Sequence, residues 1–386
     1  MFAGTESSMK PDNLLMVADS EHDANMLYAV RMFIPDSFIY LRIKGQCHLV
    51  MNDLEIDRAR KQARHCRLLS WTHYVNKLKR NRVKSPGFAS VIREILQEKR
   101  LRKVFVPNSF PHGLARELRR LKIKVKVRKG HFFPEREFKT ADEVKKISAA
   151  LMMAEVGLAE GIQALKNSRI GKKGRLMYHN VPLTSEKLRA IIDIAIIQAG
   201  GLAAHTIVAG GKQACDPHEQ GHGALRAHEP IILDVFPRSQ KTGYFGDITR
   251  TIVKGRAHEA VRKLYRTVAR GQEIAFEQIE ANARCVEVHA AVRKFFDQEG
   301  YKTGKRNGRM QGFFHGTGHG LGLEIHEAPR LSATSNDTLR TGHVVTVEPG
   351  LYYPELGGVR LEDVAYISSS GNSPRNLTKF EKALEV

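Results

Sequence analysis

Asp234, Asp247, His319, Glu348 and Glu362 are side chains of metal-ligand type in the C-terminal part of the chain. Each falls in a short segment that reads as a strand or a glycine-rich turn. Together they make a hard, oxygen-rich donor set, suited to two divalent ions that share bridging carboxylates. Such an ion pair activates water for hydrolysis, so the residues point to a hydrolytic enzyme. Asp234 ends the apolar run Pro230-Ile231-Ile232-Leu233. A carboxylate there is costly to bury unless it is paired or bound to metal. Asp247 lies between Tyr244 and Thr251, where the period of a strand puts Asp247, Thr249 and Thr251 on one face. A hairpin through 237–243 brings Asp234 and Asp247 side by side, and a shared cation removes their repulsion. Taken alone, the pair reads equally as two exposed strand-end acids.

The run from Phe313 to Glu327 is more specific. Gly316, Gly318, Gly320 and Gly322 bracket His315 and His319, with His326 close behind. Glycines let backbone crowd against a bound group. A phosphate cradle would need a Lys-Ser/Thr pair after the glycines, and none follows. Glu348 ends Val344–Val347 and meets Pro349-Gly350, while Glu362 lies within Gly358–Val364. Arg360 faces the same way as Glu362 on a strand, placed to hold a ligating carboxylate from behind. A surface ion pair is the plainer reading of those two.

These residues need a scaffold. From Thr140, which can cap a helix with Glu143, an apolar stripe runs through Ile147, Leu151, Ala154, Leu158, Ile162 and Leu165. A second helix is expected over 185–198, stopped by Gly200-Gly201. Strands are expected at 206–208, 231–233, 244–253, 344–347 and 359–367, with a helical block at 258–298 between them. Helices beside a largely antiparallel sheet make 140–386 an α+β catalytic domain. Upstream, 13–134 reads as a smaller α/β unit with strands at 14–17, 38–41, 48–51, 104–106 and 123–127 and helices around 91–96 and 114–121. Residues 1–12 read as a flexible tail, and the polar stretch 133–138 as a linker.

Bulk properties fit this division. A chain of 386 residues exceeds one small core, and 42% hydrophobic residues with a mean hydropathy of -0.35 are globular values. No apolar run approaches the ~20 residues that span a bilayer, and the start lacks a secretory layout. Cys47, Cys66, Cys215 and Cys285 are scattered and read as reduced thiols of a cytoplasmic protein. The net charge is +21, concentrated between Arg58 and Lys129, where the only carboxylates are Glu94, Glu98 and Glu117. A nucleic-acid patch is the sharp reading of that charge. No nucleic-acid motif accompanies it, so a solvated basic surface is preferred and no specific nucleic acid is expected.

The stretches ILDVFPRSQKTGYFGDITRT, HGTGHGLGLEIHEAP, VTVEPGLYY and GVRLEDVAYI occur in one order along the chain. In that order they resemble the pita-bread metallopeptidases, in particular the aminopeptidase P and prolidase (Xaa-Pro peptidase) branch. The resemblance is strong after about Thr140 and loose before it, where a creatinase-like N-terminal domain is implied. It implies that Asp234 chelates one metal, that Asp247 and Glu362 bridge two, and that His319 and Glu348 complete the shell of the second metal. It implies that His218 contacts substrate, that His315 and His326 line the pocket and steady the tetrahedral intermediate, that Glu348 relays a proton, and that Arg360 supports the ligands. The two divalent ions would be Mn, with Co or Zn as alternatives. The substrates would be peptides with proline at the second position, and the assembly a homodimer. The implied activity is Xaa-Pro aminopeptidase. Xaa-Pro dipeptidase and a non-catalytic pita-bread binding protein using its basic surface are the alternatives. One departure is a slightly longer Asp234–Asp247 segment, its extra length placed at a hairpin tip over Ser239–Thr242.

Overall fold

A computed structural model of the chain describes residues 12–369 and 373–386. They form two compact units, one ending at Pro134 and one beginning at Glu135. The tail expected over 1–12 lies outside the described residues, apart from Asp12.

The first unit is a mixed sheet covered by helices. Its strands are β1 (Leu14–Ala18), β2 (Phe38–Ile43), β3 (Gln46–Met51), β4 (Arg67–Ser70), β5 (Lys103–Val106) and β6 (Lys124–Val127), in the order β4-β3-β2-β1-β5-β6. β1, β2 and β3 pair antiparallel; β3–β4, β1–β5 and β5–β6 pair parallel. Alternation along the strands sends Leu15, Ile39 and Leu41 to one core and Leu14, Met16, Tyr40 and Leu49 to another. Two of the five helices match the expected apolar periods: α4 (Phe88–Glu98) and α5 (His112–Arg120). The other three were not legible in advance. α1 (Ala24–Val30) and α3 (Trp71–Arg80) are started by side-chain caps, Asp23 accepting from Met26 N and Ser70 from His73 N. α2 (Ile56–Gln62) is a two-turn helix with a single buried residue, Ala59.

The reading of four reduced thiols is corrected here. Cys47 and Cys66 form a disulfide with a Cα–Cα distance of 4.6 Å. The parallel register pairs His48 with Arg67, so the residue before each is brought opposite the other. The sequence hides this because 19 positions separate the two. Cys215 and Cys285 are free and buried.

The second unit opens with α6 (Ala141–Asn167), whose capping box joins Thr140 and Glu143. α7 (Ser185–Gln198) packs closely on it. A Cβ at Gly157 would lie 2.6 Å from Ile196, and one at Gly161 2.7 Å from Ile192, so the two helices touch through glycine. Ile207–Gly210, Pro230–Val235 and Ile248–Val253 form one antiparallel sheet in that order. Glu327–Leu331, Gly318–Gly320, Val344–Val347, Asp363–Tyr366 and Arg375–Asn376 form another. Gly350–Tyr353 and Gly357–Arg360 make a two-stranded ribbon. The helical block is two helices, α8 (Glu259–Gln278) and α9 (Cys285–Gln298).

Two strand boundaries differ from expectation, and the linker, where the two units meet, is more ordered than its composition suggests. The strand expected from Tyr244 begins at Ile248, leaving Asp247 just ahead of it. The strand expected over 359–367 is broken at Leu361-Glu362 because the chain changes neighbours there. Leu361 N donates to Pro349 O, Glu362 N donates to Thr249 O, and the next strand joins the five-stranded sheet. The expected linker contains a 3-10 turn, Pro134–Glu137, and Arg136 is held by Glu324 and Glu327 rather than free.

Candidate active site

Strand ends and chain breaks deliver the polar residues of the second unit to one place. In register, Asp234 stands opposite Thr249, and Val235 opposite Ile248. The connection turns back at 239–243, where Gly243 N donates to Ser239 O. Asp247 therefore returns beside Asp234, and the Ser239–Thr242 segment sits at the turn. His319 is on the strand Gly318–Gly320, between Glu327–Leu331 and Val344–Val347, and its glycines are required by space. A Cβ at Gly318 would lie 1.8 Å from Thr346 O, and one at Gly320 2.1 Å from Ala328 O. Glu348 follows its strand with its N–H bonded to Thr317 O at 2.8 Å.

A cavity of about 690 Å³ is lined by all nine residues singled out from the sequence: Asp234, Asp247, His319, Glu348, Glu362, His218, His315, His326 and Arg360. Ligand atoms of Asp247, His319 and Glu362 all lie within 4.8 Å of one another. His319 Nε2 is 3.2 Å from Glu348 Oε1 and 3.7 Å from Asp247 Oδ2. Its Nδ1 faces Gly320 O at 3.1 Å and must donate there, so Nε2 turns toward two carboxylates. A bare lone pair in that position needs a proton or a cation.

The carboxylates pose the same demand. Asp247 and Glu362 are almost fully buried, and burial, then neighbouring carboxylates, hold both well above the ordinary carboxylate range. Burial also raises Asp234, opposed by Arg360. Glu348 goes the other way. Burial pushes it up, but His319, His315 and Arg360 draw it down to about 2. Among the described residues, Asp234 Oδ1 and Glu362 Oε1 are buried without a hydrogen-bond partner. Crowded acids, orphaned oxygens and an inward-facing imidazole fit a site for divalent cations.

A hydrogen-bonded chain backs this cluster. Arg360 donates to Asp234 Oδ2 at 2.6 Å and to Tyr352 Oη at 3.0 Å. Tyr352 stands 2.8 Å from His315 Nε2, and His315 Nδ1 is 2.7 Å from Gly316 O. The carbonyl takes the Nδ1 proton, so Nε2 accepts from the Tyr352 hydroxyl. Both nitrogens of His315 are thus engaged within the protein. The rings of His218 and His326 have no hydrogen bond to other described residues. Burial depresses His326 to about 4, so it is neutral near pH 7.

Sequence reasoning passed over three residues. Tyr352, fully buried, lies within a quoted motif, and a buried tyrosine hydroxyl requires a partner. Thr249, noted only for sharing a face with Asp247, donates to Glu362 Oε2 at 2.8 Å. Gln272, on α8, donates to Val347 O and Leu361 O, the carbonyls just ahead of Glu348 and Glu362. Nothing local to Gln272 signals that task.

Comparison with known proteins agrees with this geometry. The sequence profile of metallopeptidase family M24 matches residues 145–369. A Pyrococcus horikoshii protein named Xaa-Pro dipeptidase is 30% identical over 290 residues, covering 74% of this chain and 75% of its own. A Pyrococcus furiosus protein of the same name is 31% identical over 252 residues, covering 64% and 65%. The solved X-Pro aminopeptidase of Thermotoga maritima shares the fold, with a TM-score of 0.80 over 97% of this chain and 98% of that one at 20% identity. On a profile match that spans more than half of its length, and on a cavity whose lining suits that chemistry, this chain belongs to metallopeptidase family M24 and its second unit is a pita-bread catalytic domain.

Proposed function

We propose that the chain hydrolyses the X-Pro bond at the N-terminus of peptides, as an Xaa-Pro aminopeptidase. The observation that carries this reading is the cavity in which His319, the buried Asp247 and Glu362, and the partly buried Asp234 and Glu348 converge. Asp234 would hold one divalent ion, Asp247 and Glu362 would bridge two, and His319 with Glu348 would complete the second. An oxygen-rich set with a single imidazole favours Mn over Co or Zn. When bound, the ions supply an activated water and charge for the developing oxyanion.

The remaining work falls to side chains. His326, neutral and unbonded, is the available donor to the carbonyl oxygen, with His218 at the same cavity to contact substrate. His315 lines the cavity beside them, and its bonds to Gly316 O and Tyr352 support a holding role for it. It holds Tyr352, and Tyr352 holds Arg360, which fixes Asp234. Glu348 stays ionised, the state required to take a proton and pass it to the proline nitrogen. That nitrogen has no hydrogen in the peptide and leaves well only when protonated. Ile207, Phe236, Phe314 and Ile325 give the cavity an apolar wall for the pyrrolidine ring.

A second reading, Xaa-Pro dipeptidase, is favoured by the names of the two Pyrococcus relatives. We further propose that 13–134 and 140–386 act as the N-terminal and catalytic domains of a homodimer. No described helix is long and apolar enough to cross a membrane. A cytoplasmic location is proposed on the two buried free thiols, and the Cys47–Cys66 bridge runs against it. The redox state of that pair in freshly lysed cells decides.

The test of function is an assay with Mn added, comparing an X-Pro dipeptide, an X-Pro tripeptide and the same tripeptide with alanine in place of proline. Cleavage of the tripeptide alone among the proline substrates supports the aminopeptidase, and cleavage of the dipeptide alone the dipeptidase. Turnover of only the alanine peptide would falsify both.

A further inference from the structure

From Lys99 to Lys129 the chain carries twelve lysines and arginines and a single carboxylate, Glu117. The fold gathers them. The turn after α4 supplies Arg100 and Arg102 and leads into β5 at Lys103, and the turn after α5 supplies Lys122 and leads into β6 at Lys124. Both turns feed the parallel pair β5–β6, whose register sets Lys103 directly opposite Lys124 and Phe105 opposite Lys126. Like charges facing each other across a sheet are destabilising unless something screens them. Among the described residues none of Arg100, Arg102, Lys103, Lys122, Lys124 and Lys126 has a carboxylate partner. All six are exposed.

The backbone adds an independent observation. Arg100 and Lys122 occupy the left-handed position after their helices, with φ of 54° and 65°. Glycine is the favoured residue there, and a side chain is retained at a cost in strain. A cation near a helix C-terminus also complements the helix dipole. Arg119 and Arg120 already supply that for α5, so the dipole does not require a cation at the strained position itself.

We propose that this face of the N-terminal unit binds single-stranded nucleic acid through its phosphates, independently of sequence. A row of cations tracks a flexible phosphate backbone, and an aromatic face among them takes a base. Phe105 is half-buried against the core that holds Leu14 and Met16, stands in the same row, and carries the Lys103 ammonium 4.4 Å from its ring centre, a position a base would share or take over. An anionic membrane would call for apolar anchors. Of the exposed large apolar residues, Val127 alone lies in this stretch.

The test uses the full chain with Mn and fluorescent (dT)20 and (U)20 oligonucleotides, titrated from 50 to 300 mM salt, with far-UV circular dichroism as the control for folding. Both oligonucleotides bind, with a steep salt dependence. The triple variant Lys103→Gln, Lys124→Gln, Lys126→Gln stays folded and binds at least tenfold more weakly at 50 mM salt. Its slope of log K against log salt is shallower by about 2, from about 0.7 per lost phosphate contact. A second variant, Arg100→Gly with Lys122→Gly, raises Tm while weakening binding, a combination that simple damage to the fold does not give. Absence of binding at 50 mM, a wild-type slope in the triple variant, unchanged binding in the glycine variant, or tighter capture of polyglutamate or phosphatidylserine vesicles than of oligonucleotide overturns the proposal.

Discussion

Asp247 shows how a single residue couples burial, charge and cation binding. The residue is 4% exposed and faces Glu362, Asp234 and Glu348, all of which oppose its ionisation. Asp247→Asn removes one negative charge and preserves shape. In chelator-treated protein at pH 8 this variant should melt at a higher temperature than the parent, because a buried repulsion is gone. With Mn added the order should reverse, since the variant has lost a ligand. Calorimetry with and without metal checks both halves, and an unchanged gain from Mn would remove Asp247 from the ligand set. Tyr352→Phe is the corresponding test of the supporting chain. It deletes the hydroxyl that His315 and Arg360 share, at a cost of about 1–2 kcal/mol in stability for the lost bonds. Lower turnover with an unchanged Mn content is expected, read by steady-state kinetics beside elemental analysis. The five proposed ligands, which the structure gathers at one cavity, were legible in the sequence because each ends an apolar run or sits among glycines. Thr249 and Gln272 were not, because their partners lie 113 and 75 or more positions away, nor was Tyr352, whose partners lie 8 and 37 positions away across a turn, and no local period encodes such bonds.

At the scale of elements, the site depends on backbone that changes neighbours at the right residues. Glu348 and Glu362 both lie just beyond strand ends, where side chains are free of the sheet's alternation. α8 holds the two breaks together through Gln272, which is 1% exposed. Gln272→Leu leaves two carbonyls without this donor and should cost on the order of 2 kcal/mol or more. It should also weaken Mn binding about 10- to 100-fold, the usual penalty for losing support behind a ligand. Metal titration followed by calorimetry separates the two effects, and an unaltered Mn affinity would reduce Gln272 to a packing residue. The loop that carries His326 has its own anchor. Glu327 accepts from Arg136, Lys139 and the Leu323 and Glu324 amides. Periodicity identified the long helices and the core strands well. It failed at Leu361-Glu362 and at Tyr244–Asp247, where the pattern continues but the pairing partner changes. At 133–138 the two units meet where a linker is expected, but composition does not show that Glu327, almost two hundred residues on, holds Arg136 there.

For the whole molecule, the site sets how stability responds to pH and metal. Asp247 and Glu362 have folded-state pKa values above their unfolded ones, so the folded protein binds the extra protons. Their ionisation therefore destabilises the fold as pH rises from about the unfolded carboxylate values near 4 through the raised range. Glu348 has the opposite sign. Drawn down to about 2, it stabilises the fold above its unfolded pKa and loses that contribution as pH falls toward 2. Without metal, these signs give the unit beginning at Glu135 a stability that declines from weakly acidic toward alkaline pH. Divalent ions bind the ionised acids and displace the protons, so uptake releases protons and strengthens with pH. Ligation also stabilises the folded state by mass action. Addition of Mn should therefore flatten or invert the decline, with the largest gain in melting temperature at the alkaline end. Hydrogen exchange should place the added protection in peptides around Asp234, Asp247, His319, Glu348 and Glu362. Calorimetry across pH 5 to 8 on chelated and Mn-loaded protein, with proton release followed in weak buffer, tests the whole linkage. A gain from Mn that is independent of pH, or uptake without proton release, would mean that the buried acids are already ionised and that their mutual repulsion is not what the metal relieves.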